Sequence, residues 1–233
     1  MMQKIEILPI IGIGEIRPGD DVALEMVNNF AFEQNDIAVV TQKVVSKAEG
    51  RIVLAGQDDE AAYEAAVLSE AKRILRQRGH LLITETHHGL ICANSGVDRS
   101  NNLDGEISLL PIDPDRSAQW IRRRVKALTG VDIAVIVSDT FGRAWRNGVT
   151  DVAIGSAGLE VIVNLKGTKD AGGRTLVATE VCVADEIASA ADLVKKKATA
   201  IPVAVVRGVD SGWITEGKRA AEIIRSPEQD LFR

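Results

Sequence analysis

Asp139 and Thr140 follow an apolar run at 131–137, within Val135-Ile-Val-Ser-Asp-Thr-Phe-Gly-Arg143-Ala-Trp-Arg146-Asn-Gly148. A buried strand ending there delivers a carboxylate and two hydroxyls to its C-terminal edge, where open α/β sheets take their ligands. Hard oxygen donors of this kind suit Mg²⁺ or Mn²⁺. Arg143 and Arg146, close together in the chain, suit an anionic group. Asp98 sits in a second polar loop, 94–102, just past the strand-like run 90–93. Asn101 in that loop suits a base edge or a phosphate. A third apolar run, 37–40, ends in Thr41-Gln42-Lys43, and Lys47 follows as a candidate phosphate contact. Two carboxylates with Thr140 beside one of them can hold one or two divalent ions against phosphates. Each piece also has an ordinary reading: a strand with a polar turn at 138–148, an Asx-rich turn at 94–102, a solvated lysine at 47.

The elements that must position these groups are legible as alternating runs. Residues 4–11 read as a strand, with Gly12, Gly14, Pro18 and Gly19 marking a loop and Asp20 as the N-cap of a helix over 21–30. The clearest helix spans 58–78: Ala61, Ala65, Leu68, Ala71 and Leu75 share a face and Gly79 closes it. Strands at 80–85 and 90–93 flank the turn Thr86-His-His-Gly89, whose adjacent histidines point opposite ways and make a poor metal pair. A helix over 116–128 has Asp115 as its cap and Gly130 at its end. Its run Arg122, Arg123, Arg124 spreads over different faces and predicts a solvated or interface surface rather than one anion site. Further on come a polar loop at 166–174 suited to a lid, a strand at 176–183, a helix at 184–197, a strand at 202–206, and a last helix from Ser211 or Thr215 to about 225.

Composition narrows the function classes. A chain of 233 residues can bury a good core, and with aromatics at 3% that core must be aliphatic. So few aromatics argue against stacking platforms for nucleic acid, and a net charge of −5 lacks a nucleic-acid binder's basic footprint. Cys92 and Cys182 are far apart and predict free thiols. There is no signal-type N-terminus and no apolar run near the ~20 residues that span a membrane, so the expected location is cytoplasmic. Gly212-Trp-Ile-Thr-Glu-Gly-Lys-Arg219 nearly matches a P-loop but has Arg219 where Ser or Thr must hold Mg²⁺. Residue chemistry alone therefore reaches metal-dependent nucleotide or phosphate chemistry.

Resemblance goes further. Thr41-Gln-Lys-Val-Val-Ser-Lys-Ala-Glu-Gly-Arg51, Cys92-Ala-Asn-Ser-Gly-Val-Asp-Arg-Ser-Asn101, Leu110-Pro-Ile-Asp-Pro-Asp115, Ser138-Asp-Thr-Phe-Gly-Arg143, Glu180-Val-Cys-Val-Ala-Asp-Glu-Ile187 and Ile201-Pro-Val-Ala-Val-Val-Arg-Gly208 resemble, in order, signatures of the coenzyme F420-0:L-glutamate ligase (gamma-glutamyl ligase) family. The resemblance implies an α+β fold of mixed sheets and packed helices without a P-loop, as one catalytic domain over 1–233 or two intertwined subdomains. Actinobacterial members often carry a fused nitroreductase-like domain; none is expected here. The implied reaction is GTP-dependent: GTP phosphorylates the terminal carboxylate of coenzyme F420-0, and the amine of L-glutamate displaces phosphate, with later glutamates gamma-linked. Mg²⁺ or Mn²⁺ (two divalent ions), K⁺ as a further ion, and a homodimer are also implied, with no nucleic-acid or membrane partner.

By position, the family pattern makes Asp98, Asp139 and Lys47 catalytic, with Asp98, Asp139 and Thr140 on metal. It makes Ile13, Gly14, Glu15, Ile16, Thr41, Gln42, Lys47 and Asn101 nucleotide contacts, with Lys196 and Lys197 from the loop 195–202. Lys196 departs from the family, which commonly has a small residue there. Arg143 and Arg146 are candidate anchors for the anionic acceptor or for glutamate. Two other classes share these features: another nucleotide-dependent ligase or kinase acting on a different carboxylate, and a non-catalytic nucleotide- or deazaflavin-binding protein.

Overall fold

The computed structural model describes residues 4–56, 59–99, 105–196 and 199–231. Its elements run β1 (Glu6–Pro9), α1 (Val22–Asn29), β2 (Ile37–Thr41), α2 (Gln42–Ala48), β3 (Ile52–Leu54), α3 (Glu60–Glu70), β4 (Ala71–Arg78), β5 (Leu81–Thr86), β6 (Ile91–Ala93) and β7 (Glu106–Ser108). Then follow α4 (Pro114–Thr129), β8 (Ala134–Arg143), β9 (Arg146–Ala157), β10 (Val163–Asn164), β11 (Glu180–Val181), α5 (Val183–Lys195) and β12 (Val203–Arg207). This is an α+β fold with mixed sheets.

The central sheet has the order β1-β12-β2-β8-β9. Only β2 and β8 run parallel, in a register that sets Thr41 beside Ser138. Both strands are continuous apolar runs because the sheet is covered on both faces. Ala38, Val40, Val135 and Val137 face α1 and α4, packing with Met26, Ile121 and Val125. Ile37, Val39, Ala134 and Ile136 face α5, packing with Ala184, Ala188 and Ala191. A smaller core of Val67, Leu82, Val97, Ile107 and Leu109 lies among α3, β5 and β7.

Several sequence expectations are corrected. The helix predicted over 58–78 stops at Glu70, and Ala71–Arg78 is strand β4, paired antiparallel with β5. Its apolar stripe buries little, since Leu68 is 47% exposed. The buried Glu85 of β5 pairs across the two strands with Lys72 at 3.0 Å and Arg73 at 2.8 Å, a tertiary contact that local propensity does not carry. The last predicted helix is instead short 3-10 turns at Ser211–Trp213 and Ala220–Ile223. The strand predicted over 176–183 reduces to β11.

Asp21, not Asp20, caps α1, accepting from the Leu24 amide at 3.0 Å. Asp113, not Asp115, caps α4, accepting from the Arg116 amide at 3.0 Å. Asp115 is buried and accepts from the amides of Ser156 (2.8 Å) and Ala220 (2.7 Å). Arg122, predicted on a solvated or interface surface, is buried against Asp132 at 3.0 Å. Among the described residues no helix is long and apolar enough to cross a membrane.

Candidate functional site

Parallel pairing brings the ends of β2 and β8 to one edge, and a cavity of about 430 Å³ opens there. Chain-distant segments meet in its wall. Thr41 and Lys47 come from the end of β2 and from α2, and Asp139 and Thr140 from β8. Asp98 arrives from the layer of β7, held by a bridge to Ser108. Ile13, Gly14, Glu15 and Ile16 close one side, and Lys196 lies at the end of α5. Gln42 is fully buried outside the cavity lining, its Oε1 accepting from the Ser46 hydroxyl at 2.8 Å. Arg143 and Arg146 stand at the exposed tip of the β8–β9 hairpin, away from the cavity wall. Asn101 and Lys197 lie outside the described residues.

The cavity is electrostatically mixed. Lys43 pairs with Asp98 at 2.7 Å, and Lys47, only 7% exposed, pairs with Glu15. Lys47 is thus a buried wall residue, which disposes of the solvated-surface reading. Burial pushes the Asp139 carboxyl up to about 7, and the neighbouring Asp151 and Asp98 carboxylates push the same way, against the Thr140 amide and the Lys43 ammonium. Asp98 and Asp151 each face a lysine, Lys43 and Lys195, so a cation bound here would chiefly offset the charge of Asp139. Among the described residues no cluster of three His, Cys, Asp or Glu side chains forms a closed metal cage. An ion that binds through one or two carboxylates and completes its shell with water and substrate phosphates, as Mg²⁺ does, would need no such cage. Asp98 and Asp139 fit such an ion as charged ligands. The Thr140 hydroxyl donates to Asp151 at 2.7 Å and keeps its oxygen lone pairs for a metal.

The sequence reading missed a cluster behind Asp139. The Lys195 ammonium, 2% exposed, donates to Asp151 Oδ2 at 2.8 Å and to the Ser138 hydroxyl at 2.7 Å. The Ser138 hydroxyl donates to Asp151 Oδ2 at 2.9 Å. Burial alone would raise the Asp151 carboxyl, but the charge and hydrogen bond of Lys195 hold it below its usual value. A signal for this cluster existed: Lys195 continues the stripe Ala184, Ile187, Ala188, Ala191 on the buried face of α5. Next in the chain, Lys196 adopts φ 49° and ψ 159°, a conformation natural to glycine, which gives a physical reason for a small residue at this position.

The family model described as F420-0:Gamma-glutamyl ligase matches residues 10–208. The chain is 39% identical to the Coenzyme F420:L-glutamate ligase of Methanopyrus kandleri, over all of this chain and 99% of that protein. It is 39% identical to the protein of the same name from Archaeoglobus fulgidus, over 99% of this chain and 97% of the relative. The relative from Methanocaldococcus jannaschii is 36% identical, over 99% and 98%.

Proposed function

We propose a function from one premise: the chain belongs to the F420-0:gamma-glutamyl ligase family. It is a coenzyme F420:L-glutamate ligase. We infer that GTP is the activating cosubstrate and that it sits in the cavity at the ends of β2 and β8. The observation that carries this reading is the meeting of Lys47, Asp98 and Asp139, from three separate segments, around one cavity.

A carboxylate is a poor acylating agent, so activation must come first. A carboxylate oxygen of coenzyme F420-0 attacks the γ-phosphorus of GTP, and the β–γ bridging bond breaks to release GDP. The glutamate amine then attacks the acyl carbon, the carbon–oxygen bond to phosphate breaks, and the nitrogen loses a proton. Repetition at the glutamate side chain gives gamma linkages. Lys47 lies in the wall where a phosphate would take the place of Glu15 as its partner. Asp98 and Asp139 would hold one or two divalent cations, with Thr140 alongside. Such a cation neutralises charge on transferring phosphoryl oxygens. A homodimer belongs to the same reading, and sedimentation velocity checks it.

The test is to incubate the protein with Mg²⁺, GTP, L-glutamate and coenzyme F420-0, following tail length by mass spectrometry and phosphate release in parallel. Stoichiometric extension and phosphate release are expected. Phosphate release without extension would point to a different carboxylate substrate, and binding without phosphate release to a non-catalytic protein. Asp139→Asn should abolish extension and Mn²⁺ binding while keeping the circular dichroism spectrum. Wild-type turnover by that variant at saturating Mg²⁺ would remove Asp139 from the metal site.

A further inference from the structure

An ammonium in the wall of a cation site works against that site. Lys195 lines the same cavity as Asp98, Asp139 and Thr140, and it is 2% exposed. Burying it there costs desolvation, and its charge repels a divalent ion bound alongside. What it holds is Asp151 on β9, an edge strand of the central sheet. Three donors converge on that carboxylate: Lys195 and the Ser138 hydroxyl on Oδ2, at 2.8 and 2.9 Å, and the Thr140 hydroxyl on Oδ1, at 2.7 Å. The backbone beneath it is held by the same helix. Ser189 of α5 donates to the Asp151 carbonyl at 2.8 Å, and Asp185 in the first turn of α5 accepts from the Ala153 amide at 2.9 Å. With Oδ2 fixed by two donors, the carboxylate has little freedom to turn, and Oδ1 stays on Thr140.

We propose that Lys195 is a positioning residue for the metal: through Asp151 it fixes the direction of the Thr140 hydroxyl proton, so that Thr140 offers the cavity only oxygen lone pairs. The inference rests on the proposed function, which puts a divalent ion at Asp98, Asp139 and Thr140. A hydroxyl carries one proton and two acceptor pairs. With the proton committed to Asp151, both pairs remain for a cation. A hydroxyl free to rotate could turn its proton to the cavity and meet a cation with its positive end. The pair of Lys195 with Asp151 is neutral as a whole. Its charge therefore adds little net field at the ion, while its hydrogen bonds set the geometry. Groups that orient metal ligands in this way typically account for about ten- to a hundredfold in metal affinity.

Lys195→Met separates position from charge, because the two predict opposite signs. Loss of a nearby cation by itself tightens Mn²⁺ binding, whereas loss of the anchor weakens it. Mn²⁺ is titrated by electron paramagnetic resonance of the free ion, at the site that Asp139→Asn removes and below the melting temperature of each variant. Expected is a dissociation constant raised about tenfold in Lys195→Met. Lys195→Gln loses the same charge but keeps an N–H for Asp151, and should bind within about twofold of wild type. In a Thr140→Val background, Lys195→Met should bring no further weakening. Should Lys195→Met not fold, Ser138→Ala carries the test: it removes the other donor to Oδ2, alters no charge, and should weaken binding in the same sense. Binding by Lys195→Met as tight as wild type or tighter would overturn the inference. So would an equal loss in Lys195→Gln, or a weakening that persists undiminished in the Thr140→Val background. A wild-type protein that binds Mn²⁺ at this site but transfers no glutamate would overturn the proposed reaction, while the titration still decides the role of Lys195. One that binds no Mn²⁺ would overturn the inference itself.

Discussion

The buried pair behind the cavity offers the sharpest test of how the site is held. In Lys195→Met the thioether side chain fills the volume of the lysine stem and removes its charge. Asp151, whose side chain is 4% exposed, then keeps its hydrogen bonds from Ser138 (2.9 Å) and Thr140 (2.7 Å) but loses its counter-ion. Breaking a buried pair from one side costs about 3–5 kcal/mol. The two remaining hydroxyl donors put this case at the low end, about 3 kcal/mol. For a chain of 233 residues, at about 2–4 °C per kcal/mol, the melting temperature should fall by about 6–12 °C. Differential scanning calorimetry without metal or nucleotide measures it. The double variant Lys195→Met/Asp151→Asn removes both charges and should recover at least about half of the loss, a coupling read from the double-mutant cycle. A fall under about 2 °C for the single variant, or strict additivity in the cycle, would refute the view that charge compensation holds this cluster together.

Asp132 receives hydrogen bonds from Lys126 (2.8 Å) and Arg122 (3.0 Å), and these outweigh its burial and lower its pKa. A depressed carboxylate contributes stability above its unfolded pKa and loses it as pH falls through the folded value. Asp132→Asn should therefore cost roughly 1–2 kcal/mol at pH 7 by urea denaturation and approach zero cost at low pH. Gly155 lies under the start of α4, where an added Cβ would meet the Pro114 carbonyl oxygen at 2.3 Å. Gly155→Ala should destabilise by about 1–3 kcal/mol, seen in the same denaturation assay. Burial pushes the Cys92 thiol up to about 12, so it should resist alkylation at pH 8 until the protein is unfolded. Chelation of divalent ions should abolish retention of GTP in equilibrium dialysis, and Mg²⁺ should restore it.

The central sheet was legible because β2 and β8 are buried on both faces and so appear as unbroken apolar runs. Their polar ends were legible for the same reason, since a strand that leaves the core must change composition where it leaves. The parallel register that joins Thr41 to Ser138 was not, because pairing partners leave no mark in either strand alone. The helix over 58–78 holds only as far as Glu70, because periodicity was read without burial: Leu68 on its apolar stripe is 47% exposed. The sequence places Lys195 only at the start of the loop 195–202, because a lysine at a helix end is ordinarily solvated. Its place on the apolar stripe was the better guide.

The charge of the cavity argues for how the chemistry is arranged. Among the described residues its wall carries four lysines and five carboxylates. A wall built to hold a polyphosphate by itself would show an excess of cations. Here three of the four lysines face carboxylates already: Lys43 with Asp98, Lys47 with Glu15, Lys195 with Asp151. Adding a triphosphate and two further carboxylate substrates to such a wall concentrates negative charge in a space partly screened from water. On the proposed function, divalent ions bound by the protein's carboxylates would reverse that sign. Under the proposed function they would also make the protein's own anions an asset, since Asp98 and Asp139 would hold the ions that neutralise the phosphates. On the proposed function the acidic residues would therefore be what allows a net-negative protein to bring several anions together, while Lys195 ties Asp151 and Ser138 together behind Asp139 and Asp151 in turn accepts from Thr140.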